Sequence, residues 1–447
     1  MSRSYLIKPF LEKNYPMIDY GKGVYVYDKD GKEYLDACSG AVTANIGHGM
    51  EEIISKMSLQ GNQIAFVYRA QFTNEPAENL AKLLADKAPS TPFSFFVNSG
   101  SEAVETAMKI ALQYWQEKGK RGKKIILSRW LSYHGITMGA LSLSGHSVRR
   151  ERFEGVLEER PVLEPPYCYR CPFDLKHPSC QVKCAQQLDL MIERIGADNI
   201  AAFMAEPIIG AAGGAIVPVD EYYKEIKRIC EKHNLLFIVD EVMTGCGRAG
   251  PFLAIEDWDV QPDIVAIGKG LSAGYSPIAA TLVSETIMKE IQTGSKVVMS
   301  GHTYSANPLS ASAALAVLEL IDNENIMQEV PKKSKELHTY LYRLQKQFSF
   351  IGDVRGKGLL FGLEFIGGQD QRPLPSDCTA NLIALAEKEG ILLYPAGAGL
   401  DGKSGTAILI APPLTITSGE MKELYERLYA VMDAFQTERM LATHKGD

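Results

Sequence analysis

The chain has 447 residues, of which 46% are hydrophobic and 23% charged, and its formal net charge is −7. These values are typical of a globular protein with two or three domains, and the acidic balance argues against a nucleic-acid or anionic-membrane partner, since either would favour a basic face. The sequence shows no signal peptide and no apolar run of membrane-spanning length, so we expect a cytoplasmic location.

Near the N-terminus, residues Gly23–Leu35 alternate in a pattern that predicts a hairpin about Asp30-Gly31. Further along, apolar runs alternate with helical patterns, which indicates an α/β fold with a mostly parallel sheet. The predicted strands are Phe93–Val97, Lys124–Leu127, Ile200–Met204, Leu235–Val239, Ile264–Ile267 and Ile278–Val283. The predicted helices include Ser101–Glu117, Glu221–His233 and Asn307–Ile321.

A polar break near residue 322 precedes a mixed α+β stretch that runs from about Val354 to Phe435. We therefore predict a large central domain over residues 61–322. A smaller domain would be assembled from both termini, with residues 1–60 and 323–447 as its two parts.

Eight cysteines are too few for a disulfide scaffold in a chain of this length. Four of them cluster with the spacing C-x2-C-x8-C-x3-C, namely Cys168, Cys171, Cys180 and Cys184. Paired thiolates at such a spacing can close a tetrahedral structural metal site. A loop of reduced thiols is the favoured alternative, because the eight-residue gap is short for a zinc ribbon. We therefore predict that the protein binds no metal. If it does bind one, these four cysteines are the candidate site.

The stretch Phe95–Ser101 (FFVNSGS) predicts a strand, a turn of small residues and the start of a helix. Backbone N–H groups at such a helix start can bind a phosphate, although the same pattern also serves as an ordinary helix cap. Asp240 ends a second apolar strand, at the sheet edge where open α/β sheets bind ligands. A solvated strand end is the alternative interpretation.

Lys269 follows a third apolar strand and lies between two glycines. A desolvated lysine has a lowered pKa and a free amine that can form a Schiff base, whereas most lysines between glycines are loop residues. Tyr133, in a Tyr-His-Gly sequence after the strand at Ile125, could stack on a flat heteroaromatic ring or simply fill the core.

Taken together, these residues resemble the class III aminotransferases, which are pyridoxal-phosphate (PLP) enzymes of fold type I. The match runs from Gly23 to about Thr417. Its motifs are NSGSEAVETAMK from Asn98, SYHG from Ser132, AEPI from Ala205, DEVMTG from Asp240, GKGL from Gly268, HTYSANPL from His302, RGKGLL from Arg355 and APPL from Ala411.

The resemblance implies a large domain with a mostly parallel seven-stranded sheet and a smaller α+β domain. It also implies that Lys269 forms the internal aldimine and moves the substrate proton, and that Asp240 pairs with the pyridinium nitrogen. Val242 and Tyr133 would cover the two faces of the cofactor ring. The remaining cofactor-binding residues would be Ser99, Gly100, Ser101, His134, Glu206 and, in the neighbouring subunit's site, Thr303.

The reaction implied is a ping-pong transamination from an ω-amino acid or amine, such as β-alanine, taurine, 4-aminobutyrate or a diamine, to pyruvate or 2-oxoglutarate. The Thr303 contact implies a homodimer with active sites at its interface.

Departures from the family pattern concern the substrate. Ile136 stands where relatives that use acetylornithine usually have arginine, and Leu409 stands where relatives specialised for ornithine, acetylornithine or 4-aminobutyrate usually have it. The sequence resembles the ω-amine:pyruvate branch instead. Met243 replaces a common glutamine, as it does in that branch. Lys403 is the one cation found where that branch often has a mobile arginine.

Two alternatives stay open. One is an aminomutase of the glutamate-1-semialdehyde type, which would use the same lysine without a keto-acid acceptor. The other, more remote, is a PLP-binding module without catalysis.

Overall fold

The computed structural model describes residues 4–158, 162–367 and 371–443. Within those ranges fifteen strands form three sheets. The strands are β1 Ile18–Lys22, β2 Tyr25–Asp28, β3 Glu33–Asp36, β4 Phe93–Val97, β5 Ile125–Arg129, β6 Val162–Leu163, β7 Ile200–Ala205, β8 Leu236–Asp240, β9 Ile264–Ile267, β10 Ala279–Val283, β11 Ile351–Lys357, β12 Leu360–Phe365, β13 Ile391–Leu392, β14 Tyr394–Ala398 and β15 Gly405–Ile410.

Thirteen α-helices lie in the same ranges. They are α1 Ser39–Val42, α2 Glu51–Gln63, α3 Glu75–Lys87, α4 Gly100–Glu117, α5 Met138–Leu143, α6 Ser147–Arg150, α7 Lys183–Ile195, α8 Glu221–Lys232, α9 Glu285–Thr293, α10 Pro308–Asn323, α11 Ile326–Gln347, α12 Asp377–Lys388 and α13 Ser418–Thr443. In this described part of the chain, none of the helices has the length and apolar character that a membrane span requires.

The central sheet has seven strands in the order β4-β10-β9-β8-β7-β5-β6. Strand β10 runs antiparallel to both of its neighbours, and the other adjacent pairs run parallel. Strands β7, β8, β9 and β10 are buried at every residue, as expected of strands that helices cover on both faces. The α/β fold class and the mostly parallel seven-stranded sheet are thereby confirmed.

All six strands predicted for this sheet are present, and their bounds agree with the prediction to within two residues. The seventh, β6, was not predicted, because two residues at a sheet edge leave no periodic pattern. The three predicted helices correspond to α4, α8 and α10.

The predicted hairpin is also present, as strands β2 and β3 joined through Gly31, whose φ is +81°. Strand β13, from the C-terminal part of the chain, pairs in parallel with β3 and joins both ends of the chain in one sheet. The third sheet has the order β11-β12-β15-β14. The domain boundaries at residues 60 and 322 remain a prediction.

Candidate active site

The carboxyl ends of the central strands meet around one cavity of about 210 Å³. Strand β10 is antiparallel to both β9 and β4, so β4 points the same way as the parallel strands and contributes its carboxyl end to the same edge. The cavity is lined by Gly100, Ser101, Tyr133, His134, Gly135, His146, Arg149, Glu206, Ile208, Ala211, Asp240, Val242, Met243, Thr244, Lys269 and Tyr394. This edge of an open α/β sheet is where ligands bind.

Asp240 is the last residue of β8 and a buried carboxylate in the wall of the cavity. Its Oδ2 lies 2.8 Å from Nδ1 of the buried His134, and its Oδ1 accepts a hydrogen bond from the N–H of Val242 at 3.1 Å. A carboxylate that is held at both oxygens has a fixed orientation. Since an isolated buried charge is costly, Asp240 favours a positively charged group in the cavity.

Lys269 enters the cavity directly after β9, in a short 3₁₀ turn over Lys269–Leu271. Its φ is +43°, a left-handed conformation that is uncommon for a residue with a side chain and is concentrated at functional sites. Burial lowers the pKa of its amine to about 8, although Asp240 and Glu206 act in the opposite direction. A lysine in this state supplies a neutral amine near physiological pH.

The glycine after Lys269 is required by packing. A Cβ at Gly270 would lie 2.2 Å from Nδ2 of Asn45, so a side chain cannot be accommodated there without displacing that residue. The short 3₁₀ turn is closed by a 2.9 Å hydrogen bond from the N–H of Leu271 to the carbonyl of Gly268. The Gly-Lys-Gly sequence therefore allows the turn that presents the amine.

Helix α4 begins at Gly100, and its first two residues, Gly100 and Ser101, line the cavity. A Cβ at Gly100 would lie 2.7 Å from Cγ1 of Val242, so only glycine leaves the backbone accessible here. Ser101 Oγ accepts a hydrogen bond from the N–H of Ile136 at 3.1 Å. A helix start lined by a glycine and a serine fits a phosphate group.

Ser99 differs from its two neighbours. Its Oγ accepts the N–H of Glu102 at 3.3 Å and caps α4, and Ser99 does not line the cavity. The structure therefore places the Ser99 hydroxyl in the helix cap.

Glu206 follows β7 and fixes the position of Tyr133. Its Oε2 accepts a hydrogen bond from the N–H of Tyr133 at 3.1 Å, and its Oε1 accepts one from the N–H of Gly210 at 3.1 Å. Burial raises the pKa of this carboxyl, and the neighbouring His134 and Arg129 act in the opposite direction. Glu206 therefore lines the cavity and also holds Tyr133 in place.

Two side chains suited to hold a flat ring line the same cavity, Tyr133 and Val242. Tyr133 is half-buried. Val242 packs against Gly100, and a Cβ at Gly268 would approach its Cγ1 to 3.5 Å. The cavity thus combines a glycine-lined helix start, a buried carboxylate, an amine and an aromatic ring, and these groups fit PLP.

Thr303 lies outside this cavity and is exposed, so its predicted role in a neighbouring subunit's site remains a prediction. Lys403 also lies outside, and its Nζ is 3.3 Å from Oε2 of Glu151. Leu409 is buried in β15, where it provides no charge. None of these three supplies a cation to the cavity.

Several lining residues were not found from the sequence. Arg149 and His146 belong to the segment after the Tyr-His-Gly motif, and Tyr394 begins β14, more than 120 residues beyond Lys269. Nothing in their local sequence marks them, because only the folded chain brings them to the strand ends. Met243 also lines the cavity, and a Cβ at Gly210 would lie 2.5 Å from its Sδ.

The four clustered cysteines lie around a separate small cavity of about 20 Å³. Burial and the neighbouring thiols raise the pKa of Cys184 to about 12. In residues 4–158, 162–367 and 371–443, no group of three or more Cys, His, Asp or Glu side chains is arranged to hold a metal ion. The sequence prediction that favoured reduced thiols over a metal site stays a prediction.

Comparison with known proteins places this geometry in context. The family model described as aminotransferase class-III matches residues 11–432. The chain is 53% identical to the uncharacterized aminotransferase YodT of Bacillus subtilis, over 94% of this chain and 96% of that protein. It is 32% identical to a putrescine–pyruvate aminotransferase of Pseudomonas aeruginosa, over 95% and 93% of the two chains. The crystal structure of an amine transaminase from an uncultivated Pseudomonas species in its PLP-bound form superposes with a TM-score of 0.91, at 32% identity, over 97% and 99% of the two chains.

Proposed function

Since this chain belongs to the class III aminotransferases, we propose that it moves the amino group of an ω-amino acid or terminal amine to a keto acid, pyruvate or 2-oxoglutarate. Transamination with PLP is the chemistry of the family. The donor classes are β-alanine, taurine, 4-aminobutyrate and diamines. A relative named as a putrescine–pyruvate aminotransferase and a structural neighbour named as an amine transaminase support this choice of donor.

The proposal depends above all on the placement of Asp240 and Lys269 in one cavity, with Asp240 held 2.8 Å from His134. When bound, PLP supplies an electron sink for the negative charge that develops on the substrate carbon. Asp240 would hold the ring nitrogen in its protonated form, because a buried carboxylate stabilises a positive charge beside it. His134 would keep that carboxylate in position.

Lys269 would perform the proton transfers. Its amine, with a pKa lowered to about 8, is neutral often enough near pH 7 to accept a proton from the substrate carbon, and as an ammonium it would return that proton. The same amine would anchor the cofactor between turnovers. Gly100 and Ser101 would bind the phosphate through the start of α4, while Tyr133 and Val242 would keep the ring in one plane.

We also propose a cytoplasmic homodimer in which Thr303 completes the neighbouring site. Thr303 is exposed in the described chain and is free to reach a second subunit. All eight cysteines are unpaired, which is consistent with a reducing compartment.

The first test separates the two half-reactions. The PLP-loaded protein is mixed with each donor without an acceptor, and its visible absorbance should fall and then recover when pyruvate or 2-oxoglutarate is added. Lys269→Ala should abolish the change, whereas Lys124→Ala, an exposed lysine away from the cavity, should not. A protein that no donor converts would refute the proposal, and turnover of a single substrate without a keto acid would identify an aminomutase instead.

A further inference from the structure

Arg149 supplies the cavity with a positive charge that the proposed reaction has not used. Of the lysine and arginine side chains that the structure describes, two line the cavity, Lys269 and Arg149. Two histidines line it as well: His134 is bonded to the carboxylate of Asp240, and His146 is mostly neutral near pH 7, because burial and the charge of Arg149 lower its pKa to about 4. Once Lys269 is engaged in the chemistry, Arg149 is the permanent positive charge that remains for the substrate.

The guanidinium of Arg149 lies against the ring that borders the cofactor position. Its Cζ is 4.9 Å from the ring centroid of Tyr133, a distance at which a cation is attracted to the ring face. Tyr133 is itself held through its N–H by Glu206. This contact helps to orient the guanidinium, and its N–H groups, which lie in the guanidinium plane, can donate to a ligand.

Arg149 has no carboxylate within ion-pair distance in the part of the chain that the structure describes. The next residue has a different role: Nη1 of Arg150 donates to the carbonyls of Leu141, Ser142 and Ser144 at 2.8–3.1 Å and ties α6 to α5. Arg150 therefore fixes the short helix, and Arg149 extends from this fixed helix into the cavity. Lys403, the cation considered from the sequence, pairs with Glu151 instead.

We propose that Arg149 binds the substrate carboxylate, both of the keto-acid acceptor and of donors that carry one. The inference rests on the proposed transamination and names the residue that recognises its acidic substrates. A planar guanidinium with several N–H donors matches a carboxylate in a two-point contact, which a lysine cannot reproduce. A diamine carries no such group and gains nothing from Arg149.

The first experiment compares acceptors that differ in the carboxylate. PLP-loaded wild type, Arg149→Gln and Arg149→Lys are assayed with pyruvate and with propanal, an aldehyde without the acid group. We expect Arg149→Gln to raise the KM for pyruvate by roughly ten-fold. This value is at the lower end of the range for a hydrogen bond to a charged group, because Arg149 is exposed and solvent screens its charge. The KM for propanal should change by less than about two-fold, and Arg149→Lys should recover part of the loss. Arg152→Gln is the matched control, since Arg152 is exposed on the same segment and does not line the cavity.

A binding measurement separates failure of this inference from failure of the proposed function. Propionate, which has the carboxylate of pyruvate but no carbonyl group to react, is titrated into the protein loaded with pyridoxamine phosphate, the cofactor form that a keto acid meets, and its NMR line broadening is followed. Weaker binding in Arg149→Gln, with wild-type binding in Arg152→Gln, supports the inference even if no donor reacts. Equal propionate binding in both variants, or equal KM changes for pyruvate and propanal, would overturn it while leaving transamination intact.

Discussion

Replacing Asp240 with asparagine removes one of the two buried carboxylates that line the cavity, Asp240 and Glu206, and keeps the shape of the side chain. The amide oxygen of the variant can still accept the N–H of Val242, now 3.1 Å from Oδ1. The hydrogen bond between this side chain and His134 Nδ1, which is 2.8 Å long in the native protein, would have to reverse its direction. A carboxylate oxygen can only accept there, whereas the amide NH2 group donates. The fold should therefore survive, and the loss should fall on the charge.

The expected size of the effect follows from the burial of Asp240. The residue is 5% exposed, so solvent screening weakens its interactions little. A hydrogen bond that involves a charged group contributes about 1.5–3 kcal/mol, and about 1.4 kcal/mol corresponds to a factor of ten. If Asp240 holds a protonated ring nitrogen, Asp240→Asn should slow the amine half-reaction by about ten-fold to one hundred-fold.

The assay is a stopped-flow measurement of the amine half-reaction at saturating donor, with PLP occupancy and melting temperature measured on the same samples. Asp259→Asn serves as the control, because Asp259 is exposed and has φ +54°, a conformation that asparagine adopts as readily as aspartate. A rate for Asp240→Asn within two-fold of wild type, at full PLP occupancy, would refute the assignment of Asp240 to the cofactor ring.

Three further outcomes are expected. Gly100→Ala should weaken PLP binding by about 1–3 kcal/mol in equilibrium dialysis, because its Cβ would lie 2.7 Å from Val242, whereas Gly155→Ala, with open space around it, should not. Reconstitution of the apoprotein with PLP should accelerate as the pH rises and reach half its maximal rate near pH 8, since the pKa of Lys269 is lowered to about 8 and only the neutral amine reacts; a profile that is flat between pH 6 and 9 contradicts this. Arg129→Met should lower the free energy of unfolding by about 1–3 kcal/mol in chemical denaturation, because the buried guanidinium donates to the carbonyl of Glu206 at 2.7 Å; an unchanged midpoint and slope would argue against that contact.

The central sheet was predictable because its strands are short apolar runs bounded by helical patterns. Strands β4 and β9 have the predicted bounds, and β8 differs by one residue at each end. The shift at β8 is informative, since it places Asp240 inside the strand as its last residue. Residues that end or follow a buried strand, as Asp240 and Lys269 do, could therefore be placed at one edge of the sheet from the sequence alone.

The wall of the cavity opposite those strand ends could not be predicted in the same way. Arg149 lies on a four-residue helix with no periodic pattern, and Tyr394 arrives from a different sheet. The sequence upstream of the APPL motif offers Lys403 as a cation for the substrate, but in the structure Lys403 pairs with Glu151. A local sequence pattern indicates which residues are buried, but it does not indicate which distant residues contact one another in the fold.

The way in which the charged side chains around the cavity are paired indicates which charges its ligands should carry. Asp240 is bonded to His134, and the carboxylate of Glu206 is bonded to two backbone N–H groups. Of the lysine and arginine side chains in the described ranges, Lys269 and Arg149 line the cavity, and neither has a carboxylate at ion-pair distance. The amine of Lys269 is suited to the cofactor's carbonyl carbon, so the guanidinium remains for an anionic group on the substrate. A diamine would bring a second ammonium towards that guanidinium and be repelled, while an ω-amino acid of equal length would bring a carboxylate and be attracted. If Arg149 binds the substrate carboxylate as proposed, ω-amino acids should react faster than diamines among the proposed donors.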